Sequence, residues 1–452
     1  MKKRELIYIL FFVYLLFFIG FIFSYPNEKS LGNNLILKEK EIILQLRLKE
    51  SLKKMISNFG MDLYKFDFPL EIPALSDNFI NKYPKIALKY VVLLHLADRN
   101  LNSSEILNKL KVNLPQISII IEKLFNDNSL SGDKFSENLI LSNFKEDWYK
   151  QHLLNIYYKK INDHVKHSEI SNKINNSNSI FLFSLLGISI LTFGFIILGL
   201  IFIIFWIIHW KRDILVIPSF SFSTVENPVI NTSGFFIIWI SVFITSGHFI
   251  KSISSNINEE WMLKISFIHY IFISFFGIFL FSNIFLSNKL SNLKDFIYNI
   301  FNFKLKYIFT GFNGFFIAFF VMLIVTLFNR LFFKDTYLDS NPIFNYLLVE
   351  NKLDIILIFI LSIIIAPIFE EIIFRGVLFR VLQTKLGFMH AALISSILFG
   401  LVHFNILTFF PIATLGFILA WTYQKSNSII SPIITHALWN SFSLIKVILL
   451  YI

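Results

Sequence analysis

Hydrophobic and polar positions along this chain fall into long blocks. Leu6–Phe23 is an unbroken apolar stretch preceded by Met1-Lys2-Lys3-Arg4. It exceeds the apolar core of a secretory signal, about 7–15 residues, and its exit, Phe23-Ser24-Tyr25-Pro26, offers no small-residue cleavage site, so a retained anchor over 1–24 is expected. Residues 25–178 change character. Leu35–Phe59 and Tyr83–Leu96 carry apolar residues at helical spacing among Lys and Glu, the habit of amphipathic helices. Asn102-Ser103-Ser104 offers N-cap residues ahead of Glu105, and Pro115 can open another helix. From Ser179 the blocks are again mostly long enough to cross a bilayer, which takes about 20 residues. The candidate spans are Ile180–Ile208, Gly234–Ile250, Ile265–Leu286, Tyr307–Phe328, Ile355–Phe374, Phe388–Phe404, Phe410–Tyr423 and Ile429–Leu450. The expected fold class is therefore all-α: a polytopic helical membrane protein of about nine transmembrane helices, with a soluble, mainly helical extramembrane segment (25–178) after the first and a polytopic domain over 179–452.

Composition sharpens that division. Of 452 residues 55% are hydrophobic and only 16% charged, against about 25% charged in soluble chains. Charged residues make up roughly 26% of positions 25–178 and roughly 10% of the rest. There is no Cys, which excludes disulfides, thiol nucleophiles and Cys-based zinc sites. The formal net charge of +11 comes from dispersed Lys and Arg, with no basic and aromatic stripe to suggest nucleic-acid binding. These residues read instead as topology signals. Lys2-Lys3-Arg4, Lys211-Arg212, the loop holding Lys289, Lys294, Lys304 and Lys306, the Arg375, Arg380 and Lys385 group, and Lys425 recur on alternate loops. That places the N-terminus in the cytoplasm and 25–178 outside it. The polar segment holds His95, His152, His164 and His167 without a recognisable arrangement; a protein partner is the expected use of such a segment.

Charge inside an apolar helix costs about 2.5–3.5 kcal/mol at the bilayer centre, yet the last hundred residues carry it repeatedly. Glu370, Glu371 and Arg375 lie at the end of an apolar run, His403 follows Phe399 by four, and His436 precedes Asn440 by four. Glu371 and Arg375, also four apart, share a helix face and can pair. Glu370 points about 100° away from its neighbour and is left for another partner. Three helices can thus direct Glu370, His403 and the His436/Asn440 pair into one intramembrane cavity. His209 sits at an interface beside Lys211, and His248 and His269 lack acidic neighbours at helical spacing; all three are expected to be structural. His390 opens its helix and is a weaker candidate for the same vestibule.

Glu370-Glu371-x-x-x-Arg375, Phe399-x-x-x-His403 and His436-x-x-x-Asn440 resemble the three motifs of the CPBP family, which comprises type II CAAX prenyl endopeptidases, bacteriocin-immunity proteins and lysostaphin-resistance-protein-A-like proteins. The resemblance covers about residues 350–450. It implies an intramembrane endopeptidase that hydrolyses a peptide bond of a membrane-associated protein or peptide, its site opening towards the cytoplasm. With the chemistry of water activation, it implies Glu370 as general base with His403 assisting, and His436 and Asn440 as donors to the oxyanion. Glu371 and Arg375 would hold the helix end and the orientation of Glu370.

Glu370, His403 and His436 could instead bind zinc with an open fourth position, and the family is often labelled metalloprotease. There is no His-Glu-x-x-His signature, and a metal-free glutamate mechanism is the preferred expectation. The alternative activity is a non-catalytic membrane scaffold or immunity-type partner on the same fold. A proton-coupled transporter would need ionisable groups spread along a path, whereas these gather on three helices. The expected location is a prokaryotic plasma membrane or a thylakoid-type membrane.

Overall fold

The structure is a computed structural model, and it describes residues 30–57, 80–81, 83–97, 103–126, 134–144, 147–213, 228–254, 259–285, 303–332, 352–403 and 405–451. The first expected span, Leu6–Phe23, lies outside them. Among the described residues every regular element is helical, and the chain divides into two compact units, one carrying Glu28–Ile188 and the other Ser189–Ile448.

The polar unit is built from α1 (Ser30–Ser57), α2 (Pro84–Leu96), α3 (Ser103–Asn113), α4 (Pro115–Asn126), α5 (Lys134–Asn143), α6 (Asp147–Lys160) and the first part of α7 (His164–Asp213). Helices α3 and α4 start at Ser103 and at Pro115, where proline's missing N–H costs nothing. Their inward faces, with those of α1, α2 and α6, close one apolar core around Tyr90, Val91, Leu110, Ile121 and Tyr149. Asn162, at φ 60°, turns the chain between α6 and α7. The Asp163 carboxylate then accepts the Lys166 N–H at 3.0 Å and caps α7. With no Pro or Gly between Lys166 and Phe183, nothing stops α7, and it runs unbroken through the change from polar to apolar sequence.

The apolar unit holds the rest of α7, α8 (Pro228–Ser254), α9 (Glu259–Phe285), α10 (Leu305–Phe332) and a long compound helix. The compound helix comprises α11 (Lys352–Phe359), a π-helical stretch π1 (Ile360–Ile365), α12 (Ala366–Glu371), a second π stretch π2 (Ile372–Phe379) and α13 (Arg380–Leu401); α14 (Ile406–Ser426) and α15 (Ile430–Tyr451) follow. Each of the eight expected spans after the first falls on this series. Among the described residues five helices are long and apolar enough to cross a membrane, and Asn231–Gly247 and Leu386–Leu401 are shorter apolar stretches. The outward residues of α7 include Ile190, Phe193, Ile201, Phe205 and Ile208, a surface that lipid solvates and water does not. This is a polytopic helical membrane protein.

One expected boundary moves. The span expected to end at Phe374 continues to Leu386, and the break falls at Gly387, whose φ of 73° and ψ of 176° only glycine adopts readily. The charged residues that suggested a helix end are buried and partnered. Arg375 is fully buried, and Arg380 donates to the Tyr423 hydroxyl at 3.1 Å.

Close helix contacts depend on small residues, as expected where lipid removes the usual hydrophobic drive. A Cβ on Gly314 would collide with Thr422 Cγ2 and stand 2.7 Å from Thr435 Oγ1, so α10 approaches both α14 and α15 there. The hydroxyls of Ser431 and Thr435 donate to the carbonyls of Tyr307 and Gly311, each at 2.8 Å.

Candidate active site

The site forms where α12 and π2 meet α13, α14 and α15. Pro367 starts the local account. In π1 the Ala366 N–H reaches back five residues to the Leu361 carbonyl. The next donor in that ladder would be residue 367, which as proline has none, so the Ser362 carbonyl loses its backbone partner. The side-chain amide of Asn440 supplies one, donating to Ser362 O at 2.8 Å. A proline inside a membrane helix is tolerated when a neighbouring helix satisfies the freed group in this way.

One turn past Pro367 come the two glutamates, on different faces as the helix geometry requires. Glu371 is completely buried. Its Oε1 accepts from Arg375 Nη1 at 2.9 Å and pairs with His436 Nδ1 at 3.0 Å. Arg375, equally buried, spends Nη2 on the Gly416 carbonyl at 3.0 Å, and its guanidinium lies 4.4 Å over the Phe399 ring. Gly416 is required for that approach, because a Cβ there would stand 3.1 Å from Ser396 Cα and 3.2 Å from Phe399 Cδ1. A buried Arg–Glu pair needs further partners to be tolerable; His436 and a backbone carbonyl provide two, while Glu371 Oε2 and Arg375 Nε are buried without a hydrogen bond among the described residues.

This network assigns the His436 tautomer. Glu371 Oε1, shared with Arg375, accepts from His436, so Nδ1 carries a proton and Nε2 points away from the pair. It points towards Glu370, whose Oε2 lies 4.0 Å from His436 Nε2. Among the described residues that buried Oε2 has no hydrogen-bond partner, while the Glu370 side chain as a whole is 18% exposed. Its other oxygen, Oε1, accepts a 2.7 Å hydrogen bond from the Tyr270 hydroxyl on α9.

Of the residues expected at the site, Glu370, Glu371, Arg375 and His436 are brought together. Asn440 is joined to the same helix at Ser362. His403 departs from expectation. It is exposed in the turn after α13, its Nδ1 pairs with the Phe399 carbonyl at 2.7 Å, and its ring touches Phe399, centroids 5.0 Å apart. Among the described residues no hydrogen bond joins it to Glu370 or His436; it lies just past the last residue of α13, Leu401, and stays against Phe399. Nor do Glu370, His403 and His436 fit a three-ligand zinc site: among the described residues no group of three His, Cys, Asp or Glu side chains is placed to hold a metal ion. His390 is exposed and pairs with its own helix at the Leu386 carbonyl. His269 lies within α9, where it meets the Ser246 hydroxyl at 2.8 Å.

Tyr270 is the functional candidate that sequence reasoning misses. A lone tyrosine in an apolar span gives no signal, and its distance of 100 residues from Glu370 hides the pairing.

Comparison with known proteins finds similarity over the stretch that carries the site. Residues 352–442 match the family model described as type II CAAX prenyl endopeptidase Rce1-like, the same stretch that holds the three motifs. Over 89 residues the chain is 40% identical to the protein named "Putative membrane peptidase YdiL" of Bacillus subtilis (strain 168), covering 20% of this chain and 36% of that one. It is also 40% identical over 80 residues to UPF0177 protein YxdF of Lactococcus lactis subsp. lactis (strain IL1403), covering 18% and 44%. With UPF0177 protein YbdI of the same strain it shares 30% identity over 112 residues, covering 25% and 59%. The aligned stretch thus spans about a third to three fifths of these relatives. No solved structure gives a significant match.

Proposed function

We propose that this protein is an intramembrane endopeptidase that uses Glu370 and His436 to activate water against a peptide bond of a membrane-associated protein or peptide. The observation that carries the reading is the approach of Glu370 Oε2 and His436 Nε2 to 4.0 Å; with the imidazole neutral and protonated on Nδ1, both atoms are acceptors. A water between two acceptors donates a hydrogen to each and turns its own lone pairs outward, the posture of a nucleophile. Glu370 takes the proton as water attacks the carbonyl carbon. The carbonyl becomes an oxyanion as the C–O bond is formed, and the proton then passes to the leaving amine as the C–N bond breaks. Glu371 and Arg375 hold His436 in the required tautomer. The Asn440 amide carries a second hydrogen beyond the one given to Ser362, and this is the donor for the oxyanion.

In this reading His436 rather than His403 is the histidine partnered with Glu370, and no resident metal takes part. The N-terminus faces the cytoplasm, the polar unit lies on the opposite side and engages a protein partner, and the host membrane is a prokaryotic plasma membrane. The similarity of residues 352–442 to type II CAAX prenyl endopeptidases supports the reaction class. The test is cleavage of internally quenched peptides, with and without a C-terminal farnesyl-cysteine, by the detergent-purified full chain. Glu370→Gln should reduce turnover about 10²- to 10⁴-fold with thermal unfolding unchanged. Equal cleavage by wild type and Glu370→Gln would refute the mechanism. Retention of full biological activity by the cleavage-dead variant would establish the scaffold instead.

A further inference from the structure

Among the described residues Glu370 receives its one hydrogen bond from outside the matched region. Tyr270 belongs to α9, and its hydroxyl donates to Glu370 Oε1 at 2.7 Å, leaving Oε2 as the oxygen that faces His436 at 4.0 Å. The phenol is not placed by chance, because the turns of α9 that follow it pack against both α8 and the compound helix. One turn on, the Ser274 hydroxyl returns to the Tyr270 carbonyl at 2.7 Å, and Trp239 Nε1 donates to the Ile273 carbonyl at 3.2 Å, fixing α9 against α8. Phe275 meets Phe369, the residue before Glu370, edge to face with centroids 5.2 Å apart. At Gly277 the helix approaches so closely that an added Cβ would stand 3.2 Å from Ile373 Cδ1.

We infer that Tyr270 is a positioning residue for Glu370: its hydroxyl occupies one carboxylate oxygen and so fixes the rotamer that turns the other towards His436. The inference rests on the proposed hydrolytic role of Glu370 and adds to it a group that residues 352–442 do not contain. A carboxylate on a side chain with three rotatable bonds, 18% exposed, would otherwise spread over several rotamers. Reaction geometry tolerates only a small misplacement. A hydrogen-bond donor on a rigid phenol removes that freedom without competing for Oε2.

The experiment uses the full chain in liposomes with the same quenched peptides, and compares wild type, Glu370→Gln, Tyr270→Phe and a variant carrying 3-fluorotyrosine at 270. Tyr270→Phe is expected to lower kcat about 10- to 100-fold, the range for groups that orient a functional side chain. KM should remain within about twofold, with the thermal unfolding temperature unchanged. Fluorotyrosine, which keeps the O–H, should restore kcat to within about threefold. If Glu370→Gln is inactive while Tyr270→Phe turns over like wild type, the positioning role is wrong and the hydrolytic reading stands. A raised KM at constant kcat, or a loss that fluorotyrosine fails to rescue, also overturns it. If wild type and Glu370→Gln cleave equally, or neither cleaves, both readings fall together.

Discussion

The two units each contain a cluster of one glutamate, one arginine and one histidine, and the clusters behave differently because only one meets water. In the polar unit Glu50 accepts from Asn178 Nδ2 at 2.6 Å and pairs with His152 Nε2 at 3.3 Å, while Arg47 reaches the Ser177 hydroxyl at 3.2 Å. The Glu50 side chain is 41% exposed, so solvent shares the load. Burial alone would raise the Glu50 carboxyl; the hydrogen bonds from His152 and Asn178, with the charges of His152 and Arg47, outweigh that and hold it below the usual carboxylate range. In the membrane unit Glu371 and Arg375 have no exposure at all, and each partner is obligatory. The same three side chains are a replaceable surface network in one place and an indivisible core in the other.

Breaking the buried cluster should give the largest effect. Arg375→Ala strands Glu371 without its cation and should destabilise the protein by about 3–5 kcal/mol, read as loss of monodisperse protein and of thermal stability in detergent. Replacing both partners, Glu371→Gln with Arg375→Met, should recover most of that stability without activity, because no charge is left stranded. Next comes Gly416→Ala, whose Cβ would press on Ser396 and Phe399. A cost of about 1–3 kcal/mol is expected, measured in the same unfolding assay.

Asn440→Ala should cost about 0.6–1.7 kcal/mol, the span of interhelical hydrogen bonds in membranes. Its effect on stability should shrink in a Pro367→Ala background, where a backbone N–H returns to serve the Ser362 carbonyl. A cycle of the two substitutions measures that coupling.

Glu50→Gln should be the mildest. A carboxyl held below its ordinary value of about 4.5 stabilises the fold fully above that pH, and the contribution is lost as pH falls through the folded-state value. Deuterium uptake across residues 147–160 should therefore rise on acidification in wild type, after correction for intrinsic exchange, and respond less in Glu50→Gln. Equal sensitivity of the Glu50 and Glu371 clusters to substitution would undo the contrast between them.

The sequence made the membrane cluster legible for the same reason that it is fragile. Charge is so scarce there that Glu370, Glu371, Arg375, His436 and Asn440 stand out against their apolar helices, and the spacing of four correctly pairs Glu371 with Arg375. What stayed hidden are partners without a signature. Backbone carbonyls at Ser362 and Gly416 can be supplied by any residue, and Tyr270 looks like one more interfacial aromatic. Arg375 and Arg380 mark a membrane boundary by composition, and only tertiary contacts reveal that both are buried. His403 follows Phe399 by four and does meet its carbonyl and ring, but beyond the end of α13 at Leu401 it is exposed, which the spacing alone does not reveal.

The docking of α15 on α10 carries a consequence for modularity. His436 is held in place by a helix whose Ser431 and Thr435 hydroxyls are anchored on Tyr307 and Gly311, and neither acceptor lies within residues 352–442. The stretch that is portable between relatives as sequence is therefore not portable as an object. Grafted alone into another bundle, it would bring its glutamates and histidines but leave behind the surface against which they are registered.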